Sequence, residues 1–229
     1  MSDSVLDQWT EEFSRLEGQW RGVVAAEVHA WKSTFEGLMD RRNSLVRARK
    51  WNSGPSDFLT ILGRNRSELA HCAVLAWLMD PKAPHGLGTD FLRGFLQKAF
   101  GEGFTAGDLA RAETRREISQ MHSRADIVID CPETTVVIEA KVDAMEGSDQ
   151  CDRLYKDWRG NCRFVFLTPR GVRPQTATGA ASSAFTKMSM FEVRSLLEEA
   201  LRESGAVSPD PLGRAAVQTY LQTLRREFS

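Results

Sequence analysis

Two carboxylates and an amine stand at a spacing that could do chemistry: Asp126, then Glu139 and Lys141 two residues apart. Side chains alternate along a strand, so Glu139 and Lys141 project from the same side of one. They close an apolar run, Val-Val-Ile-Glu-Ala-Lys, where burying a carboxylate and an ammonium is costly unless they pair or bind something. Asp126 opens the preceding strand, and the turn Pro132-Glu133-Thr134 is short enough to make the two strands antiparallel neighbours. Pairing through that turn lays the start of one strand beside the end of the other. Asp126 and Glu139 then converge at one end of the hairpin, with Lys141 adjacent. Two convergent carboxylates form a hard-oxygen site for Mg2+, with Mn2+ as a substitute. Such an ion polarises a phosphoryl oxygen and acidifies a water for attack on phosphorus. Lys141 would orient that water, help deprotonate it, or stabilise the charge of the transition state. This is phosphodiester hydrolysis. The structural alternative is an ion pair with one spare acid.

The elements that must hold these groups read as an α/β domain over residues 57–229. Residues 67–79, SELAHCAVLAWLM, form an apolar helix stopped by Asp80-Pro81. After a turn-rich stretch, Thr89 to Ala99 form a second helix with Phe91, Leu92, Phe95 and Leu96 on one face. Strands are expected at 115–121, 125–130, 135–142 and 163–168, with a helix at 149–158 between the last two. The run 135–142 is apolar on both faces, as an interior strand should be. A loop follows at 171–184, and helices at 191–203 and 213–227 finish the chain.

The arrangement resembles the PD-(D/E)XK nuclease superfamily, whose signature is a hairpin carrying an Asp and then (Asp/Glu)-x-Lys. Neighbouring motifs fall in the order of a prokaryotic branch of that superfamily. Glu68 and His71 are followed by Leu75-Ala76-Trp77-Leu78, Asp80-Pro81 and the turn His85-Gly86-Leu87-Gly88. Glu117 matches an acid on the strand before the Asp strand, Gln150 and Tyr155 a helix that follows the Lys, and Leu167-Thr168-Pro169 a strand end. Ala125 stands where the superfamily name has Pro, and Gln150 and Tyr155 are one residue further apart than in the tight Gln-x3-Tyr of related enzymes. The resemblance implies a restriction-endonuclease-like core, a central mixed sheet of about four strands flanked by helices. It implies Asp126, Glu139, Lys141 and Gln150 as catalytic residues and Asp126, Glu139, Glu68 and Glu117 around a Mg2+ ion. Its implied substrate is nucleic acid, DNA in the first instance, in prokaryotic defence, restriction or repair.

Taken by themselves, several of these residues keep a second reading. Glu68 could be a helix N-terminal acid favoured by the dipole after Ser67, Glu117 a surface strand residue and Gln150 a solvated helix residue. His71 reads as a packing residue rather than a ligand, and the His85–Gly88 turn as structural, its glycines permitting positive φ. For the whole chain, the alternative to an enzyme is a catalytically silent nucleic-acid- or protein-binding module on the same fold.

Residues 1–50 differ from the rest. Trp9, Phe13, Leu16, Trp20 and Val23 recur at helical spacing and Trp31, Phe35 and Leu38 resume it, the narrow apolar seam of a helix that packs on another helix. The arm could dock on its own domain, dimerise, or hold a partner protein. The basic run Arg41, Arg42, Arg47, Arg49 and Lys50 follows, and WNSGPSD reads as a linker. A net charge of −1 argues against a non-specific polyanion binder without excluding a local basic groove. Cations are skewed to 23 Arg against 7 Lys, which favours phosphate contacts or reflects genome composition. No apolar run nears the roughly 20 residues of a membrane span, and the start lacks a secretory pattern, so the expected location is the cytoplasm. The four cysteines form no CxxC pair, which argues against a structural zinc site.

Overall fold

A computed structural model describes residues 3–51, 54–101, 103–205 and 210–228. The chain divides into two units, Met1–Gly54 and Pro55–Ser229.

The first unit is one helix, α1 (Asp3–Arg47). Gly18, Gly22 and Gly37 do not interrupt it, although each costs about 1 kcal/mol of helix propensity. Most of its large apolar side chains from Trp9 onward are exposed, Trp31 to 76%, while Met39 and Leu45 are half-buried.

The second unit is built on five strands: β1 (Glu113–Ser119), β2 (Arg124–Asp130), β3 (Thr135–Ala140), β4 (Cys162–Thr168) and β5 (Phe185–Ser189). They lie side by side in chain order. β1, β2 and β3 form an antiparallel meander, and β4 and β5 are added parallel to β3. The hairpin register runs from Asp130↔Thr135 to Ile127↔Ile138, and the turn is closed by Cys131 N–H on Thr134 O at 3.0 Å. Parallel neighbours need crossovers, supplied by α6 (Gln150–Asp157) between β3 and β4 and by α7 (Gly179–Ala184) between β4 and β5.

Alternation sorts the strand side chains into two cores. Ile127, Ile129, Val136, Ile138, Val165 and Leu167 face α3 (Glu68–Met79), α4 (Asp90–Phe100), α8 (Met190–Glu203) and α9 (Pro211–Glu227). Val128, Val137, Phe164 and Phe166 face α6 and α7. Two four-residue helices complete the unit, α2 (Phe58–Ile61) and α5 (Ala106–Leu109). Their caps sustain them: Asp57 accepts from Thr60 N–H at 2.9 Å and Thr105 from Asp108 N–H at 3.2 Å.

This is the expected α/β architecture with two amendments. A fifth strand, β5, lies beyond the four that the sequence pattern marks, and the stretch expected as loop at 171–184 ends in α7. In β5 only Phe185, Met188 and Ser189 are buried while Lys187 is exposed, so this edge strand lacks the continuous apolar run of β3 and β4. β3 also stops at Ala140, which leaves Lys141 just past its end, held by its N–H on Leu167 O at 2.8 Å.

Candidate active site

The site grows from the open end of the β2–β3 hairpin. Continuing the register one step past Ile127↔Ile138 would set Asp126 opposite Glu139. The ladder does not continue there. The carboxylate of Asp126 takes the place of a backbone partner, accepting from Ala140 N–H at 2.8 Å. One side chain thus ends the strand pairing and fixes itself at the mouth of the hairpin.

Glu139 is fully buried beneath this mouth. Its Oε1 accepts from Lys141 Nζ at 2.6 Å and from the Gln150 amide. Gln150 is aimed by its other end, since its Oε1 accepts from Gly147 N–H at 3.0 Å. Lys141 also reaches Glu68 Oε1 at 3.4 Å. Glu68 opens α3, whose N-cap Ser67 accepts from Ala70 N–H, so the acid stands in the favourable field of a helix N-terminus. The structure therefore links Glu68, Lys141, Glu139 and Gln150 in one chain of contacts, with Asp126 lining the same cleft.

Burial sets the electrostatics. It pushes the Glu139 carboxyl up to about 8, the charge of Asp126 adding to the rise while Lys141 opposes it. Asp126 is raised as well, chiefly by burial, against the pull of Ala140 N–H and Lys141. For Lys141, burial disfavours the ammonium, but Glu139 and Glu68 outweigh it and the group lies above the usual lysine range.

Glu117 lies apart. The β1 register runs from Arg116↔Ile127 to Ile118↔Ala125, so Glu117 stands opposite Asp126, yet its φ of 51° turns the backbone into the left-handed region. Its side chain is exposed and meets Arg124 at 3.8 Å. His71 is also outside the cluster, buried between Tyr220 Oη at 3.0 Å and Asn65 O at 2.9 Å. His85 braces its own turn, on Asp80 O and Leu87 N–H, and Gly86 and Gly88 there have φ of 73° and 53°. Tyr155 packs on Phe164 with ring centroids 5.7 Å apart.

A cleft of about 540 Å³ opens over the cluster, with Glu68, Asp126, Lys141 and Gln150 in its wall. Its rim carries groups that the sequence reading passed over: His122, Arg124 and Arg153. Arg153 follows Gln150 by three residues on α6 and so shares its face, which is the signal that could have found it. His122 and Arg124 depend on the β1–β2 turn folding over the cleft, and no spacing rule reveals that.

Among the described residues, no three His, Cys, Asp or Glu side chains are grouped closely enough to hold a metal ion between them. Lys141 supplies the positive charge amid Glu68 and Glu139. Two atoms nonetheless fit a cation: Glu68 Oε2 and Glu139 Oε2 are buried with no hydrogen-bond partner. Buried carboxylate oxygens are costly unless satisfied, and a donor set of carboxylates alone suits a hard divalent ion such as Mg2+ or Mn2+.

A mixed sheet with helices on both faces, presenting acids and a lysine from its central hairpin, defines the class: an α/β protein of nuclease type. The chain belongs to the PD-(D/E)XK nuclease superfamily, whose family model matches residues 56–222. Neither the curated proteins nor the solved structures contain a match to it. Among the described residues, no helix is long and apolar enough to cross a membrane.

Proposed function

We propose that the second unit hydrolyses phosphodiester bonds of DNA with the help of a divalent metal ion, Mg2+ or Mn2+. The observation that carries this reading is the convergence of Glu68, Asp126, Glu139, Lys141 and Gln150 at one cleft, with two buried carboxylate oxygens left without partners. Glu68 and Glu139 would hold the ion through those two oxygens, with Asp126 beside them at the cleft. When bound, it would supply Lewis-acid charge at the scissile phosphate and acidify the attacking water.

The protein's own residues set the geometry for that chemistry. Gln150, pinned by Gly147 N–H, holds Glu139 in one orientation. Lys141, fixed by two carboxylates, is an ammonium in the cleft wall, placed to donate to a phosphoryl oxygen as negative charge builds on it. Arg124 and Arg153 on the rim would add positive charge beside the flanking phosphates, Arg153 being held there by its bonds to His122 O and Ser148 O.

The test is cleavage of a labelled DNA duplex by purified protein with Mg2+. Lys141→Ala and Asp126→Ala should each lower the rate about 100-fold or more without changing the circular dichroism spectrum. Cleavage that survives both changes overturns the assignment. Calorimetric titration with Mn2+ gives an independent readout, since Glu139→Gln should abolish the binding heat.

A further inference from the structure

We infer that α1 is a dimerisation element that pairs antiparallel with α1 of a second copy of the chain. A solitary helix that exposes a continuous apolar face has no core of its own, and most helical stability comes from packing such a face. In α1 the seam runs unbroken through Trp9, Phe13, Leu16, Trp20, Val24, Val28, Trp31, Phe35 and Leu38. Its mean spacing is about 3.6 residues, so the stripe stays on one side of a straight helix. Its five aromatic rings are each between 63% and 76% exposed.

The size of this face matches a stable dimer. An aromatic side chain buries 150–250 Å² when covered, and about two-thirds of each of these five is exposed, so the rings alone offer about 500–850 Å² per copy. A standard interface needs roughly 800 Å² from each partner.

Charge selects the occupant and its direction. Residues 3–27 carry six acidic and two basic side chains, and residues 28–50 carry six basic and two acidic. Parallel pairing sets acid on acid and base on base. Antiparallel pairing sets each half against its complement, which suits a second copy of this helix. The seam is also nearly symmetric about Val24. Antiparallel alignment there sets Trp20 against Val28, Val24 against its own copy and Phe13 against Phe35, with Leu16 and Trp31, and Trp9 and Leu38, one residue off opposite, so that apolar groups meet along the whole seam.

The experiment uses the full chain. Sedimentation at micromolar concentration should give a dimer, and Trp20→Ala combined with Trp31→Ala should weaken it about 100-fold or more. The charge pattern is tested by Lys32→Glu, which should weaken the dimer, and by Glu17→Lys added to it, which should restore the affinity. Direction is read by oxidation. Val24→Cys lies at the symmetry axis and should cross-link to its own copy, whereas Trp9→Cys, at the end of the seam, should not. The β-sheet unit's unchanged melting transition reports that each variant has folded. A monomer, a larger assembly, or efficient self-cross-linking of Trp9→Cys overturns the proposal.

Discussion

Glu139 is the residue in which burial and chemistry meet most directly. Its carboxyl is raised from 4.5 to about 8 by burial and by the charge of Asp126. A group whose folded value lies above its unfolded one contributes its full stability below the unfolded value and loses it as pH rises through the folded one. The Glu139 contribution to the stability of the metal-free protein should therefore be lost between about pH 5 and pH 8, against buried His71 and His85, whose lowered values add stability as pH rises through their ordinary range. Glu139→Gln, which cannot ionise, should remove that loss. The same pH slope of melting temperature in wild type and Glu139→Gln would show that Glu139 does not titrate in this window. A cation that competes with the proton for Glu139 should also bind more tightly as pH rises, which the Mn2+ titration measures at two pH values. Much of this residue scale was legible in advance. The D-x12-E-x-K spacing and the short turn place Asp126 opposite Glu139, one step beyond the last paired residues of the β2–β3 register, Ile127 and Ile138. What spacing did not give was depth. Glu139 lies beneath the cleft rather than in its wall, because Lys141 and Gln150 close over it.

At the scale of elements, the site depends on how α3 and α9 are held. The turn before α4 and the first turn of α9 approach so closely that only glycine fits at position 213. A Cβ built there would lie 1.5 Å from the Pro84 carbonyl oxygen and 2.6 Å from its carbon. Backbone cannot yield as a flexible side chain can, so Gly213→Ala should cost about 3 kcal/mol. The check is the midpoint of urea denaturation, and an unchanged midpoint would mean the two segments do not touch. A second tie runs from Asp57, the cap of α2, to Thr223 of α9 at 2.5 Å, across a span of buried side chains. Neither contact has a signature in local sequence, since each joins residues more than a hundred positions apart. The long apolar elements were readable because their pattern is strong. β5 and α7 were not, because an edge strand with one buried face and a six-residue helix carry too few apolar positions to stand out.

At the scale of the molecule, the two units have different physics. The β-sheet unit closes two cores of its own on either side of the sheet and carries every group of the candidate site. Residues 55–229 produced alone should therefore keep the melting temperature of the β-sheet unit in the full chain and, on the proposed function, its cleavage rate. Loss of folding on truncation would show that α1 contributes to the core after all. Among the described residues, the helical unit has no part in either core, and its aromatic rings are exposed, the face on which the proposed pairing rests.

The sequence by itself determined the elements whose information is local: the apolar helices, the central strands, the hairpin with its acids and lysine, and the seam of α1. Periodicity and spacing encode these because they act over a few residues. Only the tertiary structure decided which groups from distant elements join the hairpin. Glu68 arrives from α3 and Gln150 from α6, while Glu117 is turned away by a left-handed backbone toward Arg124. The meeting of such groups depends on how helices pack across a sheet, a sum of many weak contacts that no single stretch of chain records.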